Sequence, residues 1–149
     1  MAVELCPLGA WYAVGAEQER VFVTKVFARF ARRERLADDC LREAVFRAEC
    51  GSVDADLGGG DIKQRVARAG RGRSGGYRTV IAFRSGQRSV FLYGFAKSER
   101  DNIDDKELAD LKKLAKLVLG NTDDQLATAL REEELKELPG AHQSRDHDR

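Results

Sequence analysis

The sequence predicts an α+β fold, a small antiparallel β-sheet packed by an N-terminal helix hairpin and by C-terminal helices. Three observations carry that expectation. Helical spacing of apolar residues comes early, over 25–34 and 38–50; β-branched and aromatic runs follow at 61–67, 77–84 and 89–96; helical spacing returns near residue 105. Strands and helices grouped in separate runs, rather than alternating, belong to α+β architectures. At 149 residues the chain suits one domain with one modest core.

The elements follow in order. Val21-Phe22-Val23 is a short β-rich run that flows into a helix in which Val26, Phe27 and Phe30 share one face and Arg29, Arg32 and Arg33 the other. Asp38 and Asp39 suit the start of a second helix, Leu41, Ala44, Val45 and Ala48 recur at helical spacing, and Gly51 follows as a C-terminal cap. Three glycines at 58–60 break the chain, and residues 61–67 then alternate apolar and charged, the period of a half-buried strand. Residues 70–76 read as a flexible basic loop. The runs 77–84 and 89–96, joined by Ser85-Gly86-Gln87-Arg88, form a hairpin and complete a three-stranded meander. Leu108, Leu111, Ala115 and Val118 mark a third helix ending at Gly120, and Thr122 caps a fourth running to about Leu138, before Pro139. Residues 1–20 are read as an N-terminal extension, 21–119 as the principal domain, 120–138 as a C-terminal helix and 139–149 as a disordered tail.

With the helices expected on one face of the sheet, the other face stays open. Alternation puts Lys63 and Arg65 on one side of their strand, and Arg78 and Arg84 on one side of theirs. Where those sides coincide, a basic surface results. The charge distribution agrees: 26 Lys+Arg against 25 Asp+Glu give a net charge of only +1, yet residues 61–100 hold ten basic and two acidic side chains. A basic middle between acidic flanks is the footprint of a polyanion binder.

Other classes are excluded. No stretch approaches the roughly 18 consecutive apolar residues of a spanning helix, so no membrane is expected as a partner. The run 8–16 has the look of a signal-peptide core, but Glu4 precedes it and no basic residue does, which argues against export. Cys6, Cys40 and Cys50 form no C-x-x-C and cannot all pair within the chain, which points to a reducing, cytoplasmic setting, with Cys40 and Cys50 as small helix residues. His142 and His147 lie in the polar tail away from any cysteine, so no metal site and no cofactor are expected. Gly70-Arg71-Gly72-Arg73-Ser74-Gly75 matches G-x-G-x-x-G, but a strand follows where a dinucleotide fingerprint needs a helix.

The stronger signal is Lys63, Arg65, Arg68, Arg71, Arg73, Arg78, Arg84 and Arg88 interleaved with Tyr77, Phe83, Phe91, Tyr93 and Phe95. Cations that grip phosphates beside aromatics that stack on bases are what single-stranded RNA recognition uses. Most of the phenylalanines are expected in the core, while Tyr77 and Tyr93 are better suited to the open surface. With no carboxylate cluster in the basic region, catalysis there would be metal-free: cations stabilise charge on a scissile phosphate, a Lys or Tyr moves protons, and the RNA 2′-hydroxyl is the nucleophile.

Ile62-Lys63-Gln64-Arg65, Ser74-Gly75-Gly76-Tyr77-Arg78 and Tyr93-Gly94-Phe95-Ala96-Lys97-Ser98-Glu99-Arg100, in this order of elements, resemble the RelE/ParE superfamily of toxins from type II toxin-antitoxin systems. The likeness is greatest to the RelE-type messenger-RNA interferases of the HigB-like branch. The resemblance implies an endoribonuclease that cuts messenger RNA on the ribosome and is silenced by a cognate antitoxin, expected to be a helix-turn-helix DNA-binding protein. It implies catalytic roles for Lys63, Arg65, Arg78 and Lys97, to which Tyr93 is added as a candidate, while the basic and aromatic pattern itself assigns RNA binding to Arg68, Arg71, Arg73, Tyr77 and Arg84. The family's catalytic tyrosine after the last strand is replaced here by the neighbourhood of Asn102-Ile103, which leaves Tyr93 or Tyr77 as substitutes. The alternatives are a gyrase-directed toxin of the ParE branch and a non-catalytic RNA-binding module.

Overall fold

The computed structural model describes residues 4–5, 11–12, 20–68, 72–84, 86–96 and 102–139. In chain order the elements are β1 (Glu4–Leu5), β2 (Trp11–Tyr12), β3 (Arg20–Thr24), α1 (Lys25–Glu34), α2 (Asp38–Glu49), β4 (Ala55–Gly58), β5 (Asp61–Arg68), β6 (Gly72–Arg84), β7 (Arg88–Ala96), α3 (Asp105–Gly120), α4 (Asp123–Arg131) and β8 (Leu135–Glu137). Strands β1 and β2 pair only with each other; the rest form one six-stranded sheet in the order β4-β5-β6-β7-β3-β8. No helix among the described residues is long and apolar enough to cross a membrane.

The α+β class holds, with three corrections. First, the sheet is mixed: β3 lies parallel to β7, with Phe22 opposite Val90, while every other pair in it is antiparallel. Second, helices cover both faces. Val21 and Val23 pack into a core with Phe27, Phe30, Leu41 and Val45 from α1 and α2, whereas Phe22, between them, packs with Val118, Leu119 and Leu126 from α3 and α4. A strand buried on both faces reads as a continuous apolar run, which is what Val21-Phe22-Val23 is. Third, α4 stops at Arg131 and the following segment returns as strand β8. Glu133 has φ 61, and three consecutive glutamates at a helix C-terminus oppose its dipole, so the chain reverses there. Residues 135–137 then pair with β3, and Arg20 holds Glu137 through two bonds of 2.8 and 2.9 Å.

Two smaller differences concern the basic loop and the cysteines. Strand β6 starts already at Gly72, paired with Arg68, so much of the expected 70–76 loop is strand. Cys40 is a free thiol, but Cys50 is buried and disulfide-bonded, which removes part of the argument for a reducing compartment.

Local rules set the joints. The Thr24 hydroxyl accepts from Phe27 N–H at 3.1 Å as the N-cap of α1 and donates to the Leu92 carbonyl at 3.3 Å, tying the helix start to β7. Helix α1 then lies so close to β7 that a Cβ on Gly94 would stand 2.5 Å from Phe30 Cε2. The glycine of the Gly-Phe-Ala segment is therefore demanded by packing.

Candidate functional site

The site is built by register. Arg65 on β5 pairs with Arg78 on β6, which pairs with Phe95 on β7; in the next row Lys63 pairs with Val80, and Val80 with Tyr93. Directly opposed residues share a sheet face, so Lys63, Arg65, Arg78 and Tyr93 stand together on the side away from α1 and α2. The next row down, Asp61 with Ala82, is already buried under α3. Helix α3 begins beside the cationic rows, with Asp104 and Glu107 forming a reciprocal capping box. Just before it, the Asn102 side-chain oxygen accepts from Lys63 Nζ at 3.4 Å.

Arg65 sits where β5 outruns its partner. The β4–β5 ladder reaches only to Ala55 opposite Lys63, and side chains complete the hydrogen bonding beyond it. The Arg65 N–H donates to Asp54 Oδ2 at 2.7 Å, and the Arg65 carbonyl accepts from the Arg47 guanidinium, itself held by Glu43 at 2.9 Å. Half of the Arg65 side chain, 49%, remains exposed. On the opposite face, buried Gln64 donates to the carbonyls of Ala44 (2.8 Å) and Ser52 (3.3 Å) and accepts from Asp54 N–H at 2.7 Å. Gln64 thus ties α2 and the Asp54 turn to the strand that carries Lys63 and Arg65. Sequence reading missed Arg47, Asp54 and Gln64 as supports. The available signal was Gln64 itself, a polar residue between Ile62 and Val66 on the apolar side of an alternating strand.

Asp61 was also missed. It is fully buried, neither carboxyl oxygen has a hydrogen-bond partner, and burial pushes the carboxyl up to about 7 while Lys112 pulls in the other direction. It lies two residues from Lys63 on the same face.

Not all the expected residues join the group. Tyr77, expected on the open surface, points to the other face: it is 2% exposed, stacks edge-on against Phe30 with centroids 5.4 Å apart, and donates its hydroxyl to Glu34 at 2.7 Å. The strand period decides this, because Tyr77 and Arg78 are neighbours and must face opposite ways. Arg84 does share the face of Arg78, but six residues further along, roughly 20 Å at strand spacing. There it donates to the Leu119 carbonyl at 2.9 Å, and Arg88 opposite it donates to Val118 and Asn121 carbonyls at 3.0 Å. These two arginines cap the C-terminus of α3, whose last turn contains no basic residue of its own. Tyr93 is half-buried with its ring 6.0 Å from Phe95. Arg71 and Lys97 lie outside the described residues, as do the side chains of Arg68 and Arg73.

Three cations and a phenol on an open sheet face form an arrangement suited to anionic groups; arginine's planar fork suits phosphate in particular. Among curated proteins no sequence matches the chain. The profile of the family described as the RelE toxin of the RelE / RelB toxin-antitoxin system matches residues 19–138, from the start of β3 to the end of β8. A match of that extent, over all six strands of the sheet and all four helices, means that the chain belongs to the RelE toxin family and is a toxin of a toxin-antitoxin system, with an antitoxin as its partner.

Proposed function

We propose that this toxin is a metal-independent endoribonuclease that cleaves messenger RNA on the ribosome in the cytoplasm and so inhibits translation. The observation that carries the reading is the direct pairing of Arg65 with Arg78, with Lys63 and Tyr93 in the adjacent row. Two guanidiniums side by side suit a phosphodiester whose charge grows in the transition state, where such preorganised donors are worth most. The RNA 2′-oxygen attacks the phosphorus, the P–O5′ bond breaks, and the products are a 2′,3′-cyclic phosphate and a 5′-hydroxyl. The 2′-hydroxyl proton leaves to a base and the 5′-oxygen takes up a proton. Arg65 and Arg78 stay protonated and act on the charge, so proton transfer falls to Lys63 and Tyr93, with Asn102 orienting the Lys63 amine. Lys97 is assigned a share in the catalysis and Arg68, Arg71 and Arg73 a share in RNA binding from the sequence pattern, and a helix-turn-helix antitoxin silences the toxin.

Induction of the wild-type chain is expected to arrest growth and cut translated messages, with Arg78→Ala abolishing both. Intact messages under tight induction would overturn the assignment; loss of DNA supercoiling activity by gyrase in their place would select the ParE-like mode, and RNA binding without cleavage a non-catalytic module.

A further inference from the structure

A second concentration of cations lies at the other end of α3. The turn at residues 58–60 packs against the helix so closely that a Cβ on Gly60 would stand 2.9 Å from Leu119 Cδ1, and one on Gly59 3.1 Å from Lys112 Cγ. Beside this seam is a cavity of about 580 Å³, bordered by Gly60, Arg84, Lys112, Lys113, Lys116 and Leu119. None of these four cations forms an ion pair with a carboxylate of the described residues; the pairs there involve Arg20, Arg33, Arg47 and Arg65. Asp61, the carboxyl acting electrostatically on Lys112, is buried and makes no hydrogen bond. Arg84 uses one N–H on the Leu119 carbonyl, and its fork retains other donors.

We infer that this cavity is a second anion subsite, which takes a phosphate of the same RNA strand whose scissile part lies across Lys63, Arg65 and Arg78. The inference rests on the RNA-cleaving reading above. From Asp105, where α3 begins beside the cationic rows, to Lys113 is about 12 Å at the helical rise of about 1.5 Å per residue. That exceeds the Debye length of about 8 Å at physiological ionic strength, so the patch is not an extension of the first site's field and needs a ligand atom of its own. Lysine point charges around an arginine fork suit phosphate oxygens, and the patch lies along α3, the helix that begins beside Lys63, which favours a strand crossing both over an acidic peptide.

The test is binding of a fluorescein-labelled single-stranded RNA oligonucleotide across a salt series, with Lys113→Ala/Lys116→Ala compared with wild type. Both lysines are exposed, so folding is retained; Lys113→Arg/Lys116→Arg, which keeps the charge, is expected to bind like wild type. Loss of one phosphate contact should weaken binding roughly tenfold and lower the slope of log affinity against log salt by about 0.7. Wild-type affinity and slope in the alanine variant overturn the subsite, as does a loss seen only with the antitoxin, or displacement of the RNA by an equal concentration of adenosine triphosphate. Cleavage on programmed ribosomes separates the two readings: a wild type that cleaves, with an alanine variant that binds RNA normally, removes the subsite alone, whereas a wild type that does not cleave removes the function.

Discussion

Beneath α1 and α2 the sheet is closed: Ile62, Val66, Tyr77, Ile81 and Phe91 are buried there, and the polar groups of Gln64 and Tyr77 are hydrogen-bonded. Beneath α3 the same strands are covered over only part of their length, and the remainder presents Lys63, Arg65, Arg78 and Tyr93. Adjacent residues of one strand therefore belong to different economies of the molecule. Gln64 and Tyr77 hold the scaffold, and Lys63, Arg65 and Arg78, each one residue away, lie on the other side of the sheet. Substitutions one position apart should consequently differ in kind, stability on one face and activity on the other.

The largest effect is expected where the covered and open parts of the α3 face meet. Asp61 rises from 3.8 to about 7 on burial. At acid pH both folded and unfolded chains carry the proton; between the two values only the folded chain does; above about 7 the folded state carries a desolvated charge. Asp61 therefore lowers stability as pH rises from about 4 to 7, by up to about 4 kcal/mol at 1.36 kcal/mol per unit. Denaturant titrations of wild type and Asp61→Asn should show the difference between them changing over that window, and a constant difference would sink the assignment. Next, Arg78→Ala should reduce cleavage by about 10²–10³-fold, as loss of one preorganised donor does, with stability altered by no more than about 0.5 kcal/mol. A large fall in melting temperature would show that Arg78 belongs to the scaffold instead.

On the closed face, Gln64→Leu strands the Ala44 and Ser52 carbonyls and the Asp54 N–H, and is expected to cost about 2–3 kcal/mol in chemical denaturation. Because Asp54 also holds the Arg65 backbone, activity should fall with it. The smallest change is Tyr77→Phe, which removes the bond to Glu34 and should cost about 1 kcal/mol with RNA affinity intact. An RNA-affinity loss matching that of Tyr93→Phe would return Tyr77 to the ligand surface.

Much of this was readable in the residues, and the limits have physical causes. Period-2 alternation correctly put Lys63 with Arg65 and Arg78 with Arg84, and the register then made the two faces coincide. Alternation cannot say how far a covering helix extends, so Arg84, an arginine like any other in sequence, proved to serve the α3 carbonyls. Tyr77 was misplaced because an aromatic with a hydroxyl suits surface and core alike; the side of the strand opposite Arg78 is the one that α1 covers, and there Glu34, 43 positions away, accepts the hydroxyl. Strand β8 was hidden because three residues are too few to show a period. Its pairing with β3 is a contact of high sequence separation that no local pattern encodes. The same holds for the parallel β3–β7 pair, since nothing in a five-residue strand states its direction.

The β3–β8 pairing also imposes an order in time. Arg20 and Glu137 are 117 positions apart, and the outer edge of β3 has no strand beside it until residues 135–137 have left the ribosome. Closing so long a loop is slow compared with forming hairpins, and an unpaired edge invites pairing with other chains. During its synthesis this protein therefore holds open the outer edge of β3 until nearly the whole matched domain is made, so the sheet is completed late, by its last strand, rather than strand by strand.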